Sequence, residues 1–131
     1  MRELPGPKGL TPPYYAVIFS SLRSQEDEAG YQAMAVRMEE LAQQMPGYLG
    51  AESLRGADGY GVTISYWRDT DAIRAWKQHS EHILAQGQGR QSWYECYSLR
   101  ITRVERDYHF QRDQAAAETC GSGADAEGMA G

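Results

Sequence analysis

The chain has 131 residues, enough for one domain with a proper hydrophobic core. Its 41% hydrophobic and 24% charged residues exclude disorder throughout, and a net charge of −5 argues against nucleic acid, which demands a basic footprint. No apolar run is long enough to span a bilayer and residues 1–13 lack the apolar core of a secretory signal, so a cytoplasmic protein with no membrane partner is expected.

Residues 1–13, rich in Pro and Gly, read as a flexible N-terminal arm. Tyr14 to Ser21 is a first strand whose continuous apolar run predicts burial on both faces. Ser24 followed by Asp27 resembles a capping box, and Glu26, Asp27 and Glu28 place negative charge at a helix start. Tyr31, Met34, Met38, Leu41 and Met45 then form one apolar stripe at helical spacing, which Pro46-Gly47 ends. The stripe suits core packing, with a ligand pocket as the other use of its methionines.

Tyr48 to Leu54 is a second strand, Gly56 to Gly59 a turn, and Tyr60 to Trp67 a third strand rich in β-branched and aromatic residues. Asp69 or Thr70 can cap the next helix, which starts near Asp71, and Ser80 can cap a second helical piece that Gly87 and Gly89 close. Ser92 to Asp107 is a long last strand. In it Trp93, Tyr97, Leu99 and Ile101 share one parity, and Cys96, Ser98, Arg100 and Thr102 the other. A bulge near Arg103 would exchange the two faces. Residues 111–131 turn to Ala, Gly, Ser and acidic residues and read as a disordered tail. Cys96 in the strand and Cys120 in the tail are expected as free thiols.

The order β-α-β-β-α-β is an α+β, ferredoxin-like arrangement spanning residues 14–110: a four-stranded antiparallel sheet with both helices on one face. Strands one and three carry apolar residues on both faces, so the uncovered face needs a partner. A second copy of the chain is the simplest one, which predicts a homodimer.

That order, Tyr66-Trp67 ahead of a helix with Trp76, His79 and His82, and the run Gly89 to Cys96 and Tyr97 resemble the antibiotic biosynthesis monooxygenase superfamily. The likeness is greatest to its bacterial stand-alone branch, related to haem-degrading monooxygenases. Val104 to Tyr108, closing the last strand, is similar to that branch too. The resemblance implies a dimeric α+β barrel with a cleft in each subunit between sheet and helices. It also implies either cofactor-independent oxidation of aromatic phenols by O₂ or haem degradation. Trp76 matches the helix tryptophan of the haem-degrading branch, whereas Gln86 stands where that branch has its axial His. The cleft Asn of the characterised enzymes has no counterpart, since the chain contains no Asn. The expectation is therefore no cofactor, with haem open only through His79 or His82.

His79 and His82 share a face if their helix is unbroken and diverge if Ser80 starts a new one. A metal site is not expected, because the pair has no third ligand at recognisable spacing. His82 is the expected catalytic base and His79 the other candidate, an imidazole having an ordinary pKa near neutrality. Arg100 is a candidate for holding a phenolate or enolate-like anion, against a salt bridge to the other subunit. Trp67 and Trp76 are expected as an aromatic wall, against plain core residues. Tyr66 and Tyr15, among several tyrosines, supply hydroxyls that can orient a substrate. These residues suggest a monooxygenase acting on a small aromatic of the quinol or phenol type. The alternatives are a non-catalytic dimeric binding protein and haem binding or degradation.

Overall fold

A computed structural model describes residues 2–86 and 93–112. The elements are β1 (Tyr14–Arg23), α1 (Glu28–Ala42), β2 (Tyr48–Arg55), β3 (Tyr60–Trp67), α2 (Thr70–Gln86) and β4 (Tyr94–Val104). The strands form one sheet in the order β2-β3-β1-β4, and every neighbouring pair is antiparallel. This is the ferredoxin-like β-α-β-β-α-β fold. The expected closure by Gly87 and Gly89, the start of the last strand at Ser92, Cys120 and the tail beyond residue 112 lie outside the described residues.

Register assigns each side chain to a face, because residues directly opposite across an antiparallel pair point the same way. Val17 pairs with Ser65 and Ile101, and Tyr15 with Trp67 and Arg103. The core cluster of Val17, Trp67, Ala72 and Ile73 joins β1 and β3 to α2, so odd-numbered β1 residues face the helices. Ala16, Tyr66 and Thr102 share the outer face, as do Ile18, Ile64 and Arg100. Strand one is indeed buried on both sides, with Val17 inward and Tyr14 and Ala16 outward.

Trp67 is the one large side chain among the described residues with no exposed surface. Full burial of an aliphatic neighbour such as Ile73 contributes roughly 1.5–3 kcal/mol, and Trp67 supplies the broad apolar surface that this neighbour covers. Asp69 begins α2 by accepting the Ala72 N–H at 2.8 Å. That bond, ahead of the Arg68 guanidinium, holds the Asp69 carboxyl below its usual range. The helix then runs unbroken to Gln86. Ser80 starts no second piece: its hydroxyl donates back to the Lys77 carbonyl at 3.1 Å, a bond a mid-helix serine can make without ending the helix.

The cap of α1 is also placed differently from expectation. Asp27 itself is the N-cap, accepting the Gly30 N–H at 3.2 Å from a left-handed backbone at φ 51°. Ser24 instead accepts the Glu26 N–H at 3.2 Å. Asp27 holds this conformation because its other oxygen takes the Trp93 indole N–H at 3.2 Å, which ties the cap to the start of β4. The irregularity between β1 and β4 falls at Leu22 and Arg23, opposite Cys96 and Tyr94, at the far end of the strand from Arg103. The parity read for Tyr97, Leu99 and Ile101 therefore holds, and all three face the helices.

Residues 2–13 carry no regular element, yet they are not wholly detached. A Cβ on Gly50 would lie 2.8 Å from Pro7, so the arm crosses β2 where that strand has no side chain. Gly50 sits at φ +138° beside the register shift between Tyr48 and Gly50, a backbone that glycine adopts freely.

Candidate functional site

The helix side of the sheet has two aromatic ends. At the first, Trp76 of α2 stacks on Trp67 with ring centroids 6.0 Å apart and planes 27° apart. The His79 ring lies 6.0 Å from Trp76, tilted by 39°. Tyr48 meets Trp67 edge-on at 5.3 Å, and Tyr15 and Met45 close on the same cluster. Trp76 is half-buried and His79 exposed, so the stack runs from the core to solvent. Burial, and secondarily the Glu39 carboxylate, raise the Tyr48 phenol above its ordinary pKa and keep it protonated.

At the second end, Tyr31 of α1 packs edge-on to Trp93 at 6.2 Å and to Tyr94 at 6.0 Å. Phe19 meets Tyr94 at 5.5 Å and Tyr97 at 5.3 Å. Two guanidiniums attend this cluster. Arg23 is buried, lies 3.6 Å over the Tyr31 ring, donates to Glu28 at 3.0 Å and also donates to the Trp93 carbonyl. Arg55 donates to Ser21 Oγ at 3.1 Å, to the Tyr31 hydroxyl at 3.3 Å and to the Gly59 carbonyl at 2.5 Å. Burial first, then the hydrogen-bonded Tyr31 phenol, push the Tyr94 hydroxyl far above its ordinary pKa.

Between the ends, Thr63 and Ser65 of β3 are half-buried, while Leu99 and Ile101 of β4 remain exposed. Met34, Met38 and Leu41, also half-buried, lie on the α1 stripe between Tyr31 and Met45, whose contacts fix that stripe toward the sheet. The helix side of the sheet is thus incompletely covered between the ends: an apolar strip, or trough, that carries the Thr63 and Ser65 hydroxyls and is exposed along β4.

Of the residues singled out from sequence, Trp67, Trp76, Tyr15 and His79 converge on the first end. His82, one turn further along the unbroken helix, is exposed. Tyr66 and Arg100 lie across the sheet, on the outer face. Tyr66 donates to Glu52 and meets Tyr14 edge-on at 5.9 Å, and Tyr14 donates to Asp107 at 2.6 Å. Burial and these carboxylates push Tyr14 up to about 12 and Tyr66 higher still. The Arg100 guanidinium donates to Ser98 Oγ at 3.1 Å on the same outer face. Within one chain, therefore, Arg100 does not reach the trough. A groove lined by Ser20, Leu22, Tyr60, Cys96 and Ser98 opens on that side too.

No cluster of three or more potential metal ligands occurs among the described residues. No helix among them is long and apolar enough to cross a membrane.

The second end was not picked out from sequence, although one signal was there. A glycine inside strand three, Gly61, stands directly opposite Arg55, and an interior strand glycine often marks a close approach by another group.

Residues 13–88 match the family model described as antibiotic biosynthesis monooxygenase. The chain is 52% identical over 102 residues to the uncharacterized protein YqjZ of Bacillus subtilis (strain 168), covering 78% of this chain and 89% of that one. It is 27% identical over 94 residues to the jasmonate monooxygenase ABM of Pyricularia oryzae (strain 70-15), covering 69% of this chain but only 43% of the fungal protein. Among solved structures it resembles SnoaB, a cofactor-independent oxygenase from Streptomyces nogalater, with TM-score 0.60 and 15% identity. That match covers 73% of this chain and 97% of SnoaB.

Proposed function

Because the chain belongs to the antibiotic biosynthesis monooxygenase family, we propose that it is a cofactor-independent monooxygenase. In this reading it oxidises a small aromatic of the quinol or phenol type with O₂ in the trough on the helix side of its sheet. The observation that carries the reading is the Trp67–Trp76 stack with the exposed His79 imidazole beside Trp76. An aromatic wall beside a group able to take a proton is what this chemistry asks of a protein.

The substrate supplies the electrons. Removal of a proton from an electron-rich phenol gives a carbanion-like anion that reacts with O₂ at carbon. For a ring methylene, one oxygen atom stays as the carbonyl and the other leaves as water with the two methylene hydrogens. The imidazole of His79 or of His82 accepts the first proton, the half-buried Trp76, backed by the fully buried Trp67, holds the ring, and Tyr15 lies against the same cluster. Tyr66 and Arg100 have no part in one subunit's trough. They contribute only where the outer face meets a second copy.

A homodimer is part of the proposal. The outer face presents Leu22, Leu54 and Tyr60 to solvent, with Ile18, Val62 and Ile64 half-buried between them. A second sheet would cover these groups. Light scattering at twice the chain mass supports the dimer, and a monomer at assay concentration overturns it.

The function is tested by O₂ uptake with a panel of hydroxylated anthrones and naphthols, using chelator-treated protein. Uptake with formation of a quinone, lost in a histidine variant, supports the reading. Saturable binding of the same compounds without O₂ uptake would make the protein a binding module instead. Uptake that depends on added haem, with a Soret shift abolished by His79→Ala or His82→Ala, would replace the reading with a haem-dependent one.

A further inference from the structure

Arg55 occupies an unusual position for an arginine that ends a strand before a glycine-rich turn. Such a side chain ordinarily extends into water. Here it folds back across β3 over Gly61: a Cβ added there would lie 2.6 Å from the guanidinium carbon. Arg55 and Gly61 both face the helices, and the absence of a side chain at Gly61 is what lets the guanidinium lie across β3 toward β1. It arrives among Ser21 of β1, Tyr31 of α1 and the Gly59 carbonyl.

All three of these acceptors are neutral. Arg23, on the same Tyr31 ring, is paired with the Glu28 carboxylate at 3.0 Å. Arg55 pairs with no carboxylate among the described residues, although the chain carries 18 acidic residues against 13 basic ones. It is also exposed, so a molecule from solvent can reach it. An accessible, hydrogen-bonded guanidinium with no carboxylate partner among the described residues, beside an aromatic cluster, is suited to an anionic ligand with an apolar body.

We infer that Arg55, with the Tyr31 hydroxyl beside it, is the anion-holding end of the trough, and that the ligand is an elongated aromatic or apolar carboxylic acid. The carboxylate lies against the guanidinium, where the Tyr31 hydroxyl turns from partner of Arg55 to donor toward the ligand. The apolar body passes the Phe19, Tyr94 and Tyr97 rings and extends over Thr63 and Ser65 toward Trp67. From Gly61 to Ser65 along β3 is about 14 Å at ~3.4 Å per residue. A naphthalene-sized ring on a short acid chain fills most of that length, bringing the ring toward the tryptophan end. Tyr94 stays protonated well past the ordinary phenol range, so it adds no opposing charge.

This inference rests on the trough being the ligand site of the proposed function, but its test reads binding alone. The probes are 2-naphthylacetate and 2-naphthaleneethanol, which share a ring and chain length and differ in charge. Calorimetry on the full chain is expected to show the acid binding at least about tenfold more tightly than the alcohol, as charge-assisted hydrogen bonds predict. Arg55→Gln should remove that preference and leave alcohol affinity within about twofold, because the apolar contacts are untouched. Gly61→Ala tests the geometry independently. It keeps the positive charge but denies the guanidinium its seat, so the acid preference should again fall. Arg55→Lys, with Gly61 unchanged, should retain part of the preference that Arg55→Gln removes.

Equal affinity for acid and alcohol in the parent protein, or a preference that survives both substitutions, overturns the inference. So does failure of both probes to bind saturably. Tight, Arg55-dependent binding without O₂ uptake would leave the inference standing while the monooxygenase reading fell.

Discussion

Trp67 donates its indole N–H to Ser65 Oγ at 2.8 Å, so the most deeply buried ring in the described structure is satisfied by a neighbour on the same face of its own strand. A fully covered indole has no water to turn to. Ser65→Ala should therefore cost about 1–3 kcal/mol, the penalty for an unpaired buried donor. Ser65→Thr keeps the oxygen and should cost clearly less. Urea midpoints followed by tryptophan fluorescence check both. If the alanine variant matches the parent, another group satisfies this indole.

The turn between α1 and β2 rests directly on the start of α2. Gly47 has φ +85°, its carbonyl accepts the Arg68 N–H at 2.8 Å, and a Cβ there would approach the Ala72 Cβ to 2.7 Å. Gly47→Ala thus meets left-handed strain and overpacking together, and about 2–4 kcal/mol of destabilisation is expected. Adding Ala72→Gly relieves the overlap but not the strain. A double-mutant cycle should show the pair costing less than the sum of its parts. Additive behaviour would mean that the turn and helix move apart freely.

These two contacts also bear on how much of the fold is legible in the sequence. Strand three was legible from Tyr60 to Trp67 because β-branched and aromatic residues fill it, and the cap of α2 was legible as Asp69 or Thr70, of which Asp69 accepts the Ala72 N–H. Ser80 and Ser24 misled for one reason: a serine hydroxyl bonds backbone groups equally well inside a helix, before one or at its cap, and its neighbours decide which. Trp93 decides the case of Asp27 from 66 residues away, a tertiary fact invisible to local pattern. At the candidate site, the sequence brought together Trp67, Trp76 and His79 because they lie on adjoining elements. It missed Arg55 because strand parity tells which face a residue starts from, not that a long side chain then folds back across the next strand.

Alkaline pH should weaken the fold through its tyrosines. In the native state Tyr14 is raised to about 12, and Tyr48, Tyr66 and Tyr94 are raised too, burial being the first cause in each. A raised native pKa means that the folded chain holds protons the unfolded chain releases. Their contribution is intact below the unfolded phenol value near 10 and is lost as pH rises through the native values. Denaturation midpoints should be flat with respect to these groups up to about pH 9 and fall steeply above pH 10. Tyr14→Phe should make the fall shallower. An unchanged slope would mean that neither burial nor the Asp107 carboxylate holds the Tyr14 proton in solution.

His79 and His82 stand one turn apart on the same helix, and the His79 ring lies 6.0 Å from Trp76. If the proton leaves a substrate bound at the tryptophan end, His79 is the nearer base. His79→Ala should then lower kcat by about a hundredfold, within the usual range for loss of a general base. His82→Ala, being further from the stack, should change kcat by less than about fivefold. A base works deprotonated, so the parent rate should rise with pH along an acid limb that His79→Ala flattens. His79→Gln should keep much of the ring packing without the basicity. It therefore separates proton transfer from mere support of Trp76: if glutamine restores the rate, His79 is a positioning residue, and if the limb survives in both variants, the base lies elsewhere. Loss of the limb only in His82→Ala would move the base one turn along the helix and require the substrate to sit further from Trp67 than the stack implies.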